Sequence, residues 1–169
     1  NEGPPHFAFR DVSVQSGMRA VKLCGRGVSP ADFDSDGDTD IFVSNYRLNA
    51  DLLWVNGGND AQGVPQFSNE ARARGVEGVR KTGSFAGVYG HSIGAAWGDL
   101  DRDGDRDLVV ANLAHSAWLC FSDVTMVYLS SGWEGGYRFG DRRREAGVAY
   151  VETHSDPSLP DVDNDGWLD

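Results

Sequence analysis

The chain of 169 residues is 40% hydrophobic and carries 22 glycines, which suits a globular domain rich in turns and excludes an intrinsically disordered protein. Its formal charge of −11 is concentrated in the windows 32–40, 99–107 and 161–169, where fourteen acidic and two basic residues give −12; thirteen basic and twelve acidic residues elsewhere give +1. That distribution excludes an evenly acidic, solubilising surface. With no basic face to balance it, it also speaks against a nucleic-acid partner.

The first five residues, Asn1-Glu2-Gly3-Pro4-Pro5, have no signal-peptide character and read as a mature end after processing. Phe9 is followed eight residues later by Gly17, and the spacing recurs as Phe67 to Gly75 and Phe139 to Gly147. From these glycines the next Asp-rich window begins 15, 24 and 14 residues on, which places an insertion of about nine residues within 76–90. Ile41-Phe42-Val43 and Leu108-Val109-Val110 follow the first two windows and read as buried strands, each with an Asn at the same offset, Asn45 and Asn112. Leu52–Val55, Phe85–Tyr89 and Met126–Leu129 are further strand candidates. The segment 70–81 has some helical character, but Gly75 and Gly78 interrupt it. The chain therefore reads as one repeat domain with approximate repeats 1–66, 67–138 and 139–169. A unit of this size needs neighbours to bury its faces. No strand follows the third window within the sequence, so completion by other residues or by another chain is expected.

Each window has the form D-x-D-x-D-G-x-x-D. Loop one is Asp32-Phe33-Asp34-Ser35-Asp36-Gly37-Asp38-Thr39-Asp40. Loop two is Asp99-Leu100-Asp101-Arg102-Asp103-Gly104-Asp105-Arg106-Asp107, and loop three is Asp161-Val162-Asp163-Asn164-Asp165-Gly166-Trp167-Leu168-Asp169. Calcium is a hard cation that takes six to eight oxygen ligands, and carboxylates at alternate positions of a tight loop converge on one ion, with Gly at position six permitting the turn. We assign carboxylate ligands at positions one, three, five and nine. These are Asp32, Asp34, Asp36 and Asp40; Asp99, Asp101, Asp103 and Asp107; and Asp161, Asp163, Asp165 and Asp169. Position seven (Asp38, Asp105, Trp167) is assigned through its backbone carbonyl, which explains how Trp replaces Asp there. The apolar second position (Phe33, Leu100, Val162) is expected to anchor each loop in the core. About three calcium ions per chain are expected. Position twelve, the bidentate Glu of an EF-hand, is Val43 or Val110 here, so that motif is disfavoured. Magnesium, with its stricter octahedral geometry, is the weaker alternative.

The segments "ADFDSDGDTDIFVSNY" (31–46) and "GAAWGDLDRDGDRDLVVANL" (94–113), with "FRDVSVQSGM" (9–18) before them, resemble FG-GAP/VCBS repeat proteins. The likeness is to the branch that includes cartilage acidic protein and bacterial proteins with the ASPIC/UnbV domain. The Gly-Ala-Pro element of integrin alpha-subunit repeats is absent. The resemblance implies an all-β fold of β-propeller-like blades, each of short antiparallel strands. Such a ring would be incomplete, since a closed propeller takes about four to eight blades and the chain offers two full repeats and part of a third. It further implies a secreted, cell-surface or periplasmic protein whose calcium is structural and whose blades serve adhesion, ligand binding or assembly. Possible partners are other chains, in a homo-oligomer or fibre, or an extracellular glycan.

Several weaker signals compete with this picture. Gly90-His91-Ser92-Ile93-Gly94 matches the nucleophile elbow of serine hydrolases, but the elbow needs a following helix, and a calcium loop stands there instead. No residue is assigned a catalytic role, and the chain is not read as an enzyme. His91-Ser92 and His154-Ser155 precede loops two and three at similar distances and are expected to brace the loops. Arg142-Arg143-Arg144 reads as a solvated strand edge or an anionic-glycan contact. The five Trp (54, 97, 118, 133 and 167) read mainly as packing, with a sugar-stacking platform as the alternative. His6 and His115 show no partner. Cys24 and Cys120 read equally as one disulfide or as two buried thiols, and with no Cys/His cluster zinc is not expected. No run of about 18 apolar residues is present to span a membrane.

Overall fold

The computed structural model describes residues 8–115, 117, 120–148 and 153–169; His6, Trp118 and the segment 1–5 lie outside that set. The fold is all-β, with two four-stranded antiparallel sheets. The first takes β1 (Gly25–Ala31), β2 (Asp40–Asn45), β3 (Leu52–Asn59) and β4 (Pro65–Asn69) in chain order. The second takes β5 (Ser92–Gly98), β6 (Asp107–Asn112), β7 (Met126–Ser130) and β8 (Phe139–Asp141). Loops one and two are the β1–β2 and β5–β6 connections. The apolar runs Ile41–Val43, Leu108–Val110, Leu52–Val55 and Met126–Leu129 all lie in strands, as their pattern predicts.

The two sheets follow one plan. Phe42 pairs with Leu53 in the first, and Val109 with Val127 in the second. The side-chain amides of Asn45 and Asn112 donate to Ala50 O at 2.7 Å and Val124 O at 3.0 Å, bracing the same connection in each sheet. The Phe–Gly landmark marks the outer edge of each unit. Phe67 lies in β4 and Phe139 in β8, and Gly17, Gly75 and Gly147 all have left-handed backbone.

One face of the first sheet packs against the second. Phe33, Phe42, Leu53, Val55, Ala71 and Val76 are buried against Leu108, Val110, Met126, Tyr128 and Phe139. Phe33 stacks on Trp97 with ring centroids 6.0 Å apart, and the Trp97 indole N–H donates to Ser29 O at 3.1 Å. At the inner end the backbones come too close for a side chain. A Cβ on Gly27 would lie 2.8 Å from Ile93 O, and one on Gly94 would lie 2.4 Å from Ser155 O. These glycines are 67 residues apart, the spacing of loops one and two. Segment 153–160 thus stands to β5 as β5 stands to β1, although it forms no ladder.

Two expectations are corrected, on residues 85–89 and on the cysteines, and the interruption of 70–81 at Gly75 is as expected. Residues 85–89 are not a strand: Gly83–Phe85 form a single 3-10 turn in the connection between the sheets. Helix exists within 70–81 only as the four residues Ala71–Arg74, stopped by the left-handed Gly75. Cys24 and Cys120 are both free and exposed, so neither the disulfide nor the buried-thiol reading holds. Arg142 and Arg144 are exposed in a turn after β8, and the half-buried Arg143 pairs with Asp141 at 3.3 Å. No helix among the described residues is long and apolar enough to cross a membrane.

Candidate metal centres

The three loops share one backbone. Position four is left-handed in each (Ser35 φ 56, Arg102 φ 61, Asn164 φ 60), and so is the glycine at position six (Gly37 φ 93, Gly104 φ 93, Gly166 φ 89). Only glycine enters that last region without strain. The first Asp accepts the N–H of position six in every loop, at 3.1 Å for Gly37, 3.1 Å for Gly104 and 2.9 Å for Gly166. The fifth accepts from the seventh, at 2.8 Å for Asp38, 2.9 Å for Asp105 and 2.8 Å for Trp167. Short Asp side chains folding back on nearby N–H groups are what Asp-rich turns do.

Within this frame carboxylate oxygens converge. Asp32, Asp34 and Asp36 offer ligand atoms within 4.8 Å of one another, as do Asp99, Asp101 and Asp107, and Asp161, Asp163 and Asp169. Asp40, Asp103 and Asp165 fall outside these trios. The carboxylates of Asp103 and Asp165 accept the position-seven N–H of Asp105 and Trp167. The position-seven side chains lead elsewhere. Asp38 reaches toward Gly58, Asp105 crowds Gly132, and Trp167 lies under the Arg102 guanidinium, 4.6 Å from its ring centre.

The ninth Asp serves two masters in loops one and two. Asp40 is fully buried and accepts from Phe33 N at 3.3 Å and Asn56 N at 2.8 Å. Asp107 repeats this with Leu100 N at 2.7 Å and Ser130 N at 2.8 Å. Each therefore ties its loop to the third strand of its sheet. Burial pushes the carboxyls of Asp40 and Asp107 up to about 6, despite these donated bonds. Asp34 is also raised, first by burial and then by Asp36. In loop three Asp169 accepts Val162 N at 2.8 Å and is exposed.

The donor set fits a hard cation. Among the described residues Asp34 Oδ1 and Asp99 Oδ1 are buried without a hydrogen-bond partner, as is Asn45 Oδ1 outside the loops. Buried acceptors in this state are costly unless something satisfies them. The all-oxygen carboxylate set is the chemistry that calcium takes.

The expected core anchor at position two holds for Phe33, which is fully buried, and in part for Leu100. It fails for Val162, which is 71% exposed because no further sheet covers it among the described residues. Of the Trp side chains, Trp54 is buried, Trp97 belongs to the core, and Trp133 and Trp167 are exposed.

Ser92 opens β5 and is buried. Its hydroxyl lies 2.7 Å from Asp51 Oδ2 and 3.0 Å from Asn112 Oδ1, and strand follows it, so the turn-to-helix geometry of a nucleophile elbow is not formed. His91-Ser92 and His154-Ser155 precede their loops at similar distances but do not correspond residue for residue. Loops two and three begin 62 residues apart, and the counterpart of Ser92 is His154. Thr125 Oγ1 and His154 Nδ1 lie 2.6 Å apart, matching Asp51 with Ser92. Asp51 and Thr125 each stand immediately before the third strand of a sheet. Sequence reasoning missed both, although the loop spacing applied to Ser92 would have flagged the pair. No family model matches the chain, and no curated protein matches it.

Proposed function

We propose that the chain is a calcium-binding extracellular repeat module of the FG-GAP/VCBS kind, structural or adhesive in role. In this reading one ion binds each loop, held in loop one by Asp32, Asp34 and Asp36. In loop two the holders are Asp99, Asp101 and Asp107, and in loop three Asp161, Asp163 and Asp169. The observation that carries it is the threefold convergence of carboxylates on one shared loop backbone, with buried unpartnered oxygens on Asp34 and Asp99. A bound cation would offset the mutual repulsion of these carboxylates and satisfy those oxygens. Because Asp107 both belongs to the loop-two set and accepts from Ser130, and Asp40 ties loop one to Asn56, loop occupancy and sheet stability would be linked. Millimolar extracellular calcium saturates even weak modular sites.

The test is calorimetric calcium titration of chelator-treated protein, with thermal unfolding followed in parallel. About three ions and a clear rise in Tm are expected, since a ligand at a hundred times its Kd adds about 2.7 kcal/mol per site. Two ions would remove loop three from the proposal. No binding would remove the proposal.

Assembly is the second part of this reading, and a specific surface favours it. Leu100, Val109, Val127, Leu129 and Val148 line an open groove of about 650 Å³ on the second sheet. Their counterparts on the first sheet, Phe33, Phe42, Leu53, Val55 and Val76, are the face that the second sheet covers. A further sheet of the same type, from another chain, would fit there as β-sheet blades pack elsewhere in this molecule. Sedimentation at high concentration with calcium checks it: a lone monomer at all concentrations would rule out self-assembly.

A further inference from the structure

The seam between the two sheets contains a hydrogen-bond chain that does not close with ordinary protonation states. Asp51, Ser92 and Asn112 are all buried, Asp51 to 3% exposure. Asp51 Oδ1 accepts the Asn45 N–H at 2.7 Å. Asn112 directs its amide hydrogens to Val110 O at 3.2 Å and Val124 O at 3.0 Å, which fixes its Oδ1 toward Ser92. The Ser92 hydroxyl then has two acceptors within reach, Asp51 Oδ2 and Asn112 Oδ1, and a single proton to give. With an ionised Asp51 one of these buried acceptors goes without a donor.

We propose that Asp51 keeps its proton in the folded protein and donates it from Oδ2 to Ser92, which donates onward to Asn112, closing the seam between the sheets. Asp51 Oδ2, the Ser92 hydroxyl and Asn112 Oδ1 are then all satisfied. The surroundings favour the neutral acid. Asp123 and Tyr128 are ionisable groups that face Asp51, and the cation beside Asp123, Lys81, is taken up by Asp123 and Ser122 O. Asp51 Oδ2 and Asp123 Oδ2 stand 3.9 and 4.0 Å from where a Cβ on Gly78 would lie. The Asp51 N–H donates to Glu77 O, and the Glu77 carboxylate faces Arg72 at 3.9 Å. Burial first, and Asp123 after it, push the Asp51 carboxyl up to about 7. At the equivalent place beside segment 153–160 the pair is Thr125 with His154.

The sign follows from linkage. The fold holds a proton that the unfolded chain releases above the ordinary value of 3.8, so the contribution of Asp51 favours folding at low pH. It makes the folding constant fall by up to about tenfold per pH unit as pH rises toward about 7, and it is level above that.

Asp51→Asn supplies the same donor and acceptor without ionising. The experiment is urea unfolding of wild type and Asp51→Asn from pH 5 to 8, run both with excess calcium and with chelator so that the outcome does not depend on the loops. The variant-to-wild-type ratio of folding constants should rise about tenfold per unit up to neutrality and then level off. A constant ratio across the range would overturn the proposal. Should the variant not fold, side-chain carbon NMR of wild type labelled at Asp provides the check. A carboxyl titrating near neutrality, whose midpoint moves in Ser92→Ala, is expected; no such resonance would equally overturn it.

Discussion

In loop one the second and ninth residues, Phe33 and Asp40, are fully buried, whereas their counterparts in loop three, Val162 and Asp169, stand at the surface. Yet the two loops have the same left-handed fourth and sixth residues and the same bonds from the first Asp to positions five and six. Loop conformation is thus written within nine residues. What differs is the next layer: Asp40 also takes the N–H of Asn56 from β3, and Asp169 has no such strand among the described residues. A cation site can be preformed locally, but its connection to the fold needs the rest of a sheet.

The comparison can be broken most severely at position nine. Asp40→Ala leaves the buried N–H groups of Phe33 and Asn56 without their acceptor, and each costs about 1–3 kcal/mol. A loss of about 3 kcal/mol or more is expected in urea unfolding, and similarly for Asp107→Ala. Asp169→Ala should cost far less stability while still weakening calcium at loop three. Equal losses at Asp40 and Asp169 would mean that burial does not set the difference.

A smaller effect sharpens the shared part. Gly37→Ala and Gly104→Ala meet no neighbour within 4 Å, so their cost is backbone strain alone, about 1–2 kcal/mol. The two losses should agree closely in thermal unfolding. Gly166→Ala adds a contact with the Arg102 guanidinium at 3.3 Å and should exceed them slightly if that guanidinium is held in place.

The smallest effect concerns the link between loops two and three. Arg102→Ala removes the cation–π contact with Trp167, worth about 0.5–1 kcal/mol at an exposed site. Trp167 emission should change with the substitution, and calcium affinity at loop three should shift by a few-fold. Loop one has Ser35 at the Arg102 position, so no counterpart exists between loops one and two.

Strands β2, β3, β6 and β7 were legible because short β-branched and aromatic runs bounded by Asp, Asn and Gly have few alternatives. Inner strands β1 and β5 were less so. Gly25, Gly27 and Pro30 weaken the strand signal of β1, and at Gly27 the backbone of β5 approaches too closely for a side chain. Phe85–Tyr89 misled for the opposite reason. Its apolar residues lie in an insertion that covers the seam, with Phe85 packed on Phe121 at 5.4 Å and no strand partner.

The sequence by itself determined the three Asp-rich turns, since glycine at position six and Asp side chains two to five residues from their N–H donors require no distant partner. It also determined that Ile41–Val43, Leu52–Val55, Leu108–Val110 and Met126–Leu129 would lie in strands. Only the tertiary structure decided how deep each loop sits. It also decided that Asp51 meets Ser92 across 41 residues of chain. Burial and hydrogen-bond competition arise where separate segments close on one another, and no local spacing encodes them.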